Sequence, residues 1–187
     1  MSDERASEAR DRQLGEYLEA LGPGRLEALD GVWDLCASDL HGLVLWRTGS
    51  RSDTDDALQE VFLMLARLAE AGRLQQIRRP FAYLLRMAHS AAIDVLRRRG
   101  RRRDDTPLDD DAPLFFDPAL DRAADARRVS SEVGRLPEGQ RAVVYLKHFV
   151  GLSFREIGGV MRIPTFTAAS RYRLALGRLR RQLGVPS

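Results

Sequence analysis

Between Asp104 and Asp121 the chain carries seven aspartates, three prolines and no basic residue. No helical or strand period runs through DDTPLDDDAPLFFDPAL, and prolines at this density end both kinds of element. The stretch reads as an extended acidic linker over 104–130, so the rest of the chain must fold as two separate units. Residues 86–103 hold seven arginines and one acid, Asp94; residues 157–187 hold six arginines and no acid. The net charge of +3 is therefore a cancellation between two basic units and a −7 connector. Sign asymmetry of this kind points to a polyanionic partner, most often nucleic acid.

Several function classes drop out. The single cysteine, Cys36, rules out an internal disulfide framework and a multi-cysteine zinc site. No apolar run reaches the ~18 residues of a membrane span, and MSDERASEARDR is too polar for a signal peptide. The expectation is a soluble cytoplasmic protein that needs no metal or cofactor. The aspartates at 104, 105 and 109–111 lack the glycine and terminal glutamate of an EF-hand loop, and a solvated linker accounts for them.

The first unit, 25–103, reads as a small helical bundle behind a variable N-terminal tail, 1–24, that is mobile or marginally helical. Leu58, Val61, Phe62, Leu65, Leu68 and Ala69 fall on one face of a helix whose start is acidic, with Ser52, Asp53, Asp55 and Asp56 supplying capping oxygens. Pro80 opens the next helix, which has an inner stripe of Phe81, Leu84, Leu85, Ala88, Ala92, Val95 and Leu96. Arg86, His89, Ser90 and Arg97 project away from that stripe. Trp33, Leu40, Leu43, Val44 and Trp46 are core candidates of an earlier helix. Six arginines in the seven positions 97–103 repel one another unless an anion relieves them.

The second unit, 131–187, holds a helix from about Glu138, then Ser153-Phe154-Arg155-Glu156, which matches a capping box. A short helix, a turn at Arg162-Ile163-Pro164 and a basic helix from about Thr165 to Leu183 compose a helix-turn-helix. Thr165, Thr167, Ser170, Arg171 and Arg173 are placed to reach base edges or phosphates, and Arg178 to touch backbone. The fold class is all-α: two small helical domains joined by the acidic linker.

These residues resemble a known family, the extracytoplasmic-function (ECF) group of bacterial sigma-70-type RNA polymerase sigma factors. DTDDALQEVF at 53–62 is similar to the family's D-x-x-D-x-x-Q-E-x-F segment. RPFAYLLRMA at 79–88 with AIDVLRR at 92–98 resembles its region 2.3–2.4 helix. LPEGQR at 136–141 with GLSFREI at 151–157 resembles region 4. The resemblance implies a transcription initiation subunit, not an enzyme. Asp53, Asp56, Gln59 and Glu60 would bind core RNA polymerase; Arg86, His89, Ser90, Asp94, Arg97 and Arg98 would capture the unpaired −10 element. Thr165, Thr167, Ser170, Arg171, Arg173 and Arg178 would read the −35 duplex. An anti-sigma factor is a further partner of the kind it implies. The chain departs from the family at His89-Ser90, where Arg-Asn is common, and at Leu174-Ala175-Leu176, where R-A-R is usual.

Two other readings stand beside this one. A stand-alone helix-turn-helix regulator would explain 153–183 but not the acidic face at 53–62. A metal-dependent nuclease would need the linker aspartates, since His41, His89 and His148 are scattered and no G-x-x-x-x-G-K-[ST] loop occurs.

Overall fold

A computed structural model describes residues 2–22, 25–75, 77–102 and 131–184. The expected linker, including Leu114, Phe115 and Phe116, lies outside them. Every regular element among the described residues is helical: α1 (Ser2–Ala20), α2 (Ala28–Thr48), α3 (Arg51–Glu70), α4 (Pro80–Arg102), α5 (Glu138–His148), α6 (Phe154–Met161) and α7 (Thr165–Leu183).

α2, α3 and α4 pack against one another as a three-helix unit. Its core follows the apolar stripes: Leu58, Val61 and Leu65 of α3 and Leu84, Leu85, Ala88 and Ala92 of α4 are buried. The cap of α3 sits earlier than its acidic run implies. Ser50 is the N-cap and its hydroxyl accepts from the Asp53 amide at 3.3 Å, because Thr48, Ser50 and Thr54 already form a hydroxyl and carbonyl network that closes the α2–α3 turn. Trp33, expected in the core, is 46% exposed, its ring set against Phe62 at 4.9 Å.

In place of a mobile or marginal tail, α1 is a nineteen-residue helix docked on α2 and α4. Leu14, Leu18 and Leu21, spaced as one helical stripe, are buried. Polar contacts fix its register. Arg10 Nη1 meets Asp39 Oδ2 at 2.6 Å, its guanidinium lies 4.4 Å from the Phe81 ring centroid, and Asp11 Oδ1 accepts from the Phe81 amide at 2.8 Å. That last bond satisfies a free amide of the first turn of α4, which begins at Pro80. Beneath α1, the Cys36 thiol donates to the Val32 carbonyl at 2.8 Å, and burial together with the Asp39 charge pushes its pKa up to about 12.

In the second unit α5 and α6 both pack on α7. The capping box of α6 is complete: Ser153 Oγ accepts from the Glu156 amide at 3.3 Å and Glu156 Oε2 accepts from the Ser153 amide at 2.9 Å. The Ser153 hydroxyl lies 2.7 Å from Glu156 Oε2, and its hydrogen bond, with that of the Ser153 amide, holds the Glu156 carboxyl below the usual carboxylate range. After α6 the chain reverses through Arg162 at φ 54°, and the Ile163 amide bonds back to the Gly158 carbonyl at 3.0 Å. The turn is tight enough that a Cβ at Gly158 would lie 2.8 Å from the Ile163 carbonyl oxygen, whereas Gly159 faces open space. Backbone cannot rotate aside as a side chain can. Gly158→Ala is expected to lower unfolding free energy by up to about 2 kcal/mol, overpacking outweighing the gain in helix preference. Gly159→Ala should be neutral or stabilising by up to about 1 kcal/mol. Urea denaturation of the two variants checks this, and equal effects would contradict it.

Candidate nucleic-acid and polymerase interfaces

The four acidic-face residues on α3 divide. Asp56 and Gln59 are exposed. Glu60 is exposed and pairs with Arg98 at 2.8 Å, while half-buried Asp53 pairs with Arg99 at 2.9 Å. Two arginines from the far end of α4 are therefore spent on α3, fixing the angle between the helices; the exposed Arg98 pair adds at most about 1 kcal/mol. One turn beyond Glu60, Leu63 and Met64 are both large and exposed. Their i+3 and i+4 spacing from Glu60 was the available signal, and it extends the polar face into an apolar one.

Along α4, Asp94 and Arg97 are exposed and 3.5 Å apart, and Ser90 and Arg86 are half-buried. His89 departs from expectation: it is 4% exposed. It lies on the flank of the inner stripe, and the charges that bear on it come from both units, Arg47 of α2 and Arg171 and Arg162 of the second. Burial lowers its pKa to about 3, with Arg47, Arg171 and Arg162 adding repulsion in that order, and its Nδ1 is buried without a partner.

The two units meet in a seam in which α5 packs on α2 and α6 on α4. Arg47 Nη2 pairs with Glu138 Oε1 at 3.1 Å, and Arg141 donates to the Arg47 carbonyl at 3.1 Å and to the Gly134 carbonyl at 2.6 Å. The Trp46 ring centroid stands 5.4 Å from that of Tyr145 and 5.1 Å from that of Phe149, and Tyr145 Oη reaches the Ser38 carbonyl at 3.5 Å. Arg79 approaches Glu156 at 3.6 Å. Buried apolar residues of both units form one continuous cluster. The seam is under-neutralised. Arg47 is 7% exposed, its Nε and Nη1 lack partners, and burial lowers the pKa of both Arg47 and Arg141 despite the Glu138 charge.

On α7, Thr165 and Arg173 are exposed, and Thr167 and Ser170 are half-buried. Arg171 and Arg178 turn toward α5. Arg171 Nη1 lies 3.0 Å from where a Gly139 Cβ would stand, and Arg178 Nη1 donates to Gln140 Oε1 at 3.0 Å. Two exposed apolar residues stand on this face: Phe166, which the sequence reading passed over, and Leu174, for which the sequence left open a thymine methyl or a polymerase contact. Among the described residues no cluster of His, Cys, Asp or Glu could hold a metal ion, and no helix is long and apolar enough to cross a membrane.

Comparison with known proteins accounts for both units. Residues 33–102 match the family model described as Sigma-70 region 2, and residues 126–179 match Sigma-70, region 4. ECF RNA polymerase sigma factor SigM of Mycobacterium tuberculosis is 30% identical over 177 residues, covering 93% of this chain and 86% of its own. SigK of Mycolicibacterium vanbaalenii is 26% identical over 180 residues, covering 92% and 90%. The fold resembles the sigma factor RpoE in its complex with the anti-sigma factor NepR from Bartonella quintana (TM-score 0.70, 17% identity, 87% of this chain and 100% of that one). It also resembles CnrH in complex with the cytosolic domain of CnrY (TM-score 0.63, 21% identity, 95% and 99%). With an acidic α3 face, an arginine-rich α4 and a capped helix-turn-helix in the order those two regions require, the chain belongs to the ECF RNA polymerase sigma factors, subunits that direct the polymerase to promoters.

Proposed function

We propose that the three surfaces divide the work of promoter recognition, and that the protein performs no reaction of its own and acts in the cytoplasm, where its polymerase is. The α3 face of Asp56, Gln59 and Glu60, extended by Leu63 and Met64, binds core RNA polymerase: a charged rim beside an apolar centre is the anatomy of a protein interface. The α4 surface with Arg86, His89, Ser90, Asp94 and Arg97 takes the unpaired −10 strand, arginines on phosphates and a base held out of the stack, and Arg98 joins it on leaving Glu60. α7 reads the −35 element as duplex. The observation that carries this reading is the pairing of two arginine-rich helices, on separate family regions, with one acidic face that nucleic acid would repel.

In this reading the described arrangement is a closed form. His89 is buried, with Arg171 and Arg162 of the second unit among the charges that bear on it, so it reaches DNA only after the seam parts. Core polymerase supplies the driving force by binding the open form better, which shifts the population.

Asp56→Arg is expected to weaken association with core polymerase by about tenfold or more, as loss and reversal of an interface charge does. The far-ultraviolet circular dichroism and melting temperature should not change, since Asp56 is exposed. Co-purification with core polymerase, followed by sequencing of the transcripts the complex starts, tests the function. A protein that binds a specific duplex tightly without polymerase, and leaves core polymerase alone, would instead be a stand-alone regulator.

A further inference from the structure

We infer that the base-reading surface of α7 is the stripe Phe166, Ser170, Arg173 and Leu174, with Phe166 and Leu174 recognising thymine methyl groups of the −35 element. The inference rests on the proposed function and deepens it.

Helical geometry defines the stripe. At 100° per residue, buried Ala168 and Ala175 mark the inner face of α7; Phe166, Ser170 and Arg173 lie within about 30° of the opposite side, with Leu174 at its edge, about 70° round toward Arg178. Arg171 and Arg178 fall on the flank that faces α5, where one crowds Gly139 and the other donates to Gln140. They are positioned to set the angle of the helix and to meet phosphate at its edge. The surface presented outward is thus rotated away from Arg171.

Its chemistry is unusual for a wet face. Phe166 is 75% exposed, more than any other large apolar residue among those described, and Leu174 is 56% exposed. Both stand on a helix that carries no acid, and Arg162, Arg173, Arg180 and Arg181 around them are exposed. A protein-docking patch would be contiguous and would exclude charge from its centre. Here Ser170 and Arg173 stand between the two apolar side chains, which are eight residues and about 12 Å apart along the axis. Alternation of apolar, hydroxyl and guanidinium groups matches the edge of a major groove instead. There the thymine methyl is the apolar feature, a hydroxyl pairs with several base edges, and arginine pairs with guanine. Phe166 is also the second residue of its helix, and the N-terminal residues of a recognition helix enter the groove. The 12 Å separation places the two thymines about three to four base pairs apart.

The test uses holoenzyme reconstituted from the full chain and core polymerase, with duplexes randomised across the −35 region. Wild type, Phe166→Ala and Leu174→Ala are each used to select sequences. The wild type should select thymine at two positions; each variant should lose that preference at one of them and keep the others. Replacing the selected thymine opposite Phe166 by deoxyuridine, which removes only the methyl, should weaken the wild type about fourfold, what burial of one such group is worth. Phe166→Ala should bind the two duplexes equally. If the wild type ignores deoxyuridine, or Phe166→Ala retains every thymine preference, the inference fails while the function stands. If Phe166→Ala loses core polymerase with base preferences intact, Phe166 is a protein contact and the inference fails likewise. A wild-type holoenzyme that selects no sequence overturns the proposed function together with the inference.

Discussion

Gly42→Ala should open the molecule. Gly42 lies mid-helix in α2, and a Cβ there would overlap the hydroxyl end of the Tyr145 side chain of α5. Tyr145 has little room to yield, being buried, stacked on Phe149 at 5.4 Å and set against Trp46. The substitution improves the helix preference of α2 by about 1 kcal/mol, so the first unit itself gains. The seam loses about 1–3 kcal/mol to overpacking, and each 1.4 kcal/mol moves the closed-to-open ratio tenfold. The expected result is a larger radius of gyration by solution scattering and a rise of about tenfold in the free protein's affinity for a single-stranded −10 oligonucleotide, whose α4 binding surface the seam covers at His89. Glu138→Arg attacks the same seam from the other side, setting a cation against an Arg47 guanidinium that already lacks partners on two nitrogens. Because Glu138 is half exposed, the loss is about 1–3 kcal/mol, below that of a fully buried pair. Two variants on opposite units should converge on one expanded form. Unchanged scattering and DNA affinity in both would show that the seam does not govern access.

Acid should open it too, through His89. In the closed form its pKa is about 3, against 6.5 when exposed, so the open form binds the proton more tightly. The closed form is therefore fully favoured above pH 6.5 and loses ground as pH falls from there toward 3, by up to about 1.4 kcal/mol per unit. The charged groups that depress this pKa are all cations, Arg47 from α2, Arg171 from α7 and Arg162 from the turn before it, so none rescues the imidazolium. Between pH 7.5 and 5 the closed form should weaken by about 2 kcal/mol, read as a rising radius of gyration. His89→Gln should flatten that profile. The Glu156 carboxyl is held below the ordinary range chiefly by Ser153 of its own capping box, which survives opening, so only its Arg79 contact crosses the seam. A wild-type slope that survives in His89→Gln would assign the effect elsewhere.

What could be read from sequence was what is local. The stripe of Leu58, Val61 and Leu65, the Pro80 start of α4 and the Ser153–Glu156 box each depend on residues within one or two turns, and each is present. α1 was obscured for a different reason. Its Leu14, Leu18 and Leu21 stripe is short and follows the heavily charged SDERASEARDR, and the partners that dock it, Asp39 and Phe81, lie 29 and 70 residues away. The seam was hidden altogether: Arg47 and Glu138 are 91 residues apart, and neither has a local pattern that announces a partner. Arginine itself misled. A guanidinium suits phosphate, but Arg47, Arg98, Arg99 and Arg141 are engaged by protein carboxylates and carbonyls, and Arg171 packs at the head of α5. Arginines that hold the fold and those that remain for DNA are indistinguishable until their neighbours are known.

Cys36 makes the two kinds of opening separable by chemistry. Its thiol is buried on the Val32 and Leu40 face of α2, near Arg10 and Asp39, whereas Ser38, Gly42 and Trp46 carry the seam on another face. A thiol held near 12 is almost wholly protonated at neutral pH and inert toward a disulfide reagent. Since its charged neighbours are Asp39 and the Arg10 of α1, parting the two units is expected to leave it so, and release of α1 from α2 to expose it. The rate at which this one sulfur is modified is thus a clock for fraying of the N-terminal helix, and it should keep the same time in the closed and the open protein.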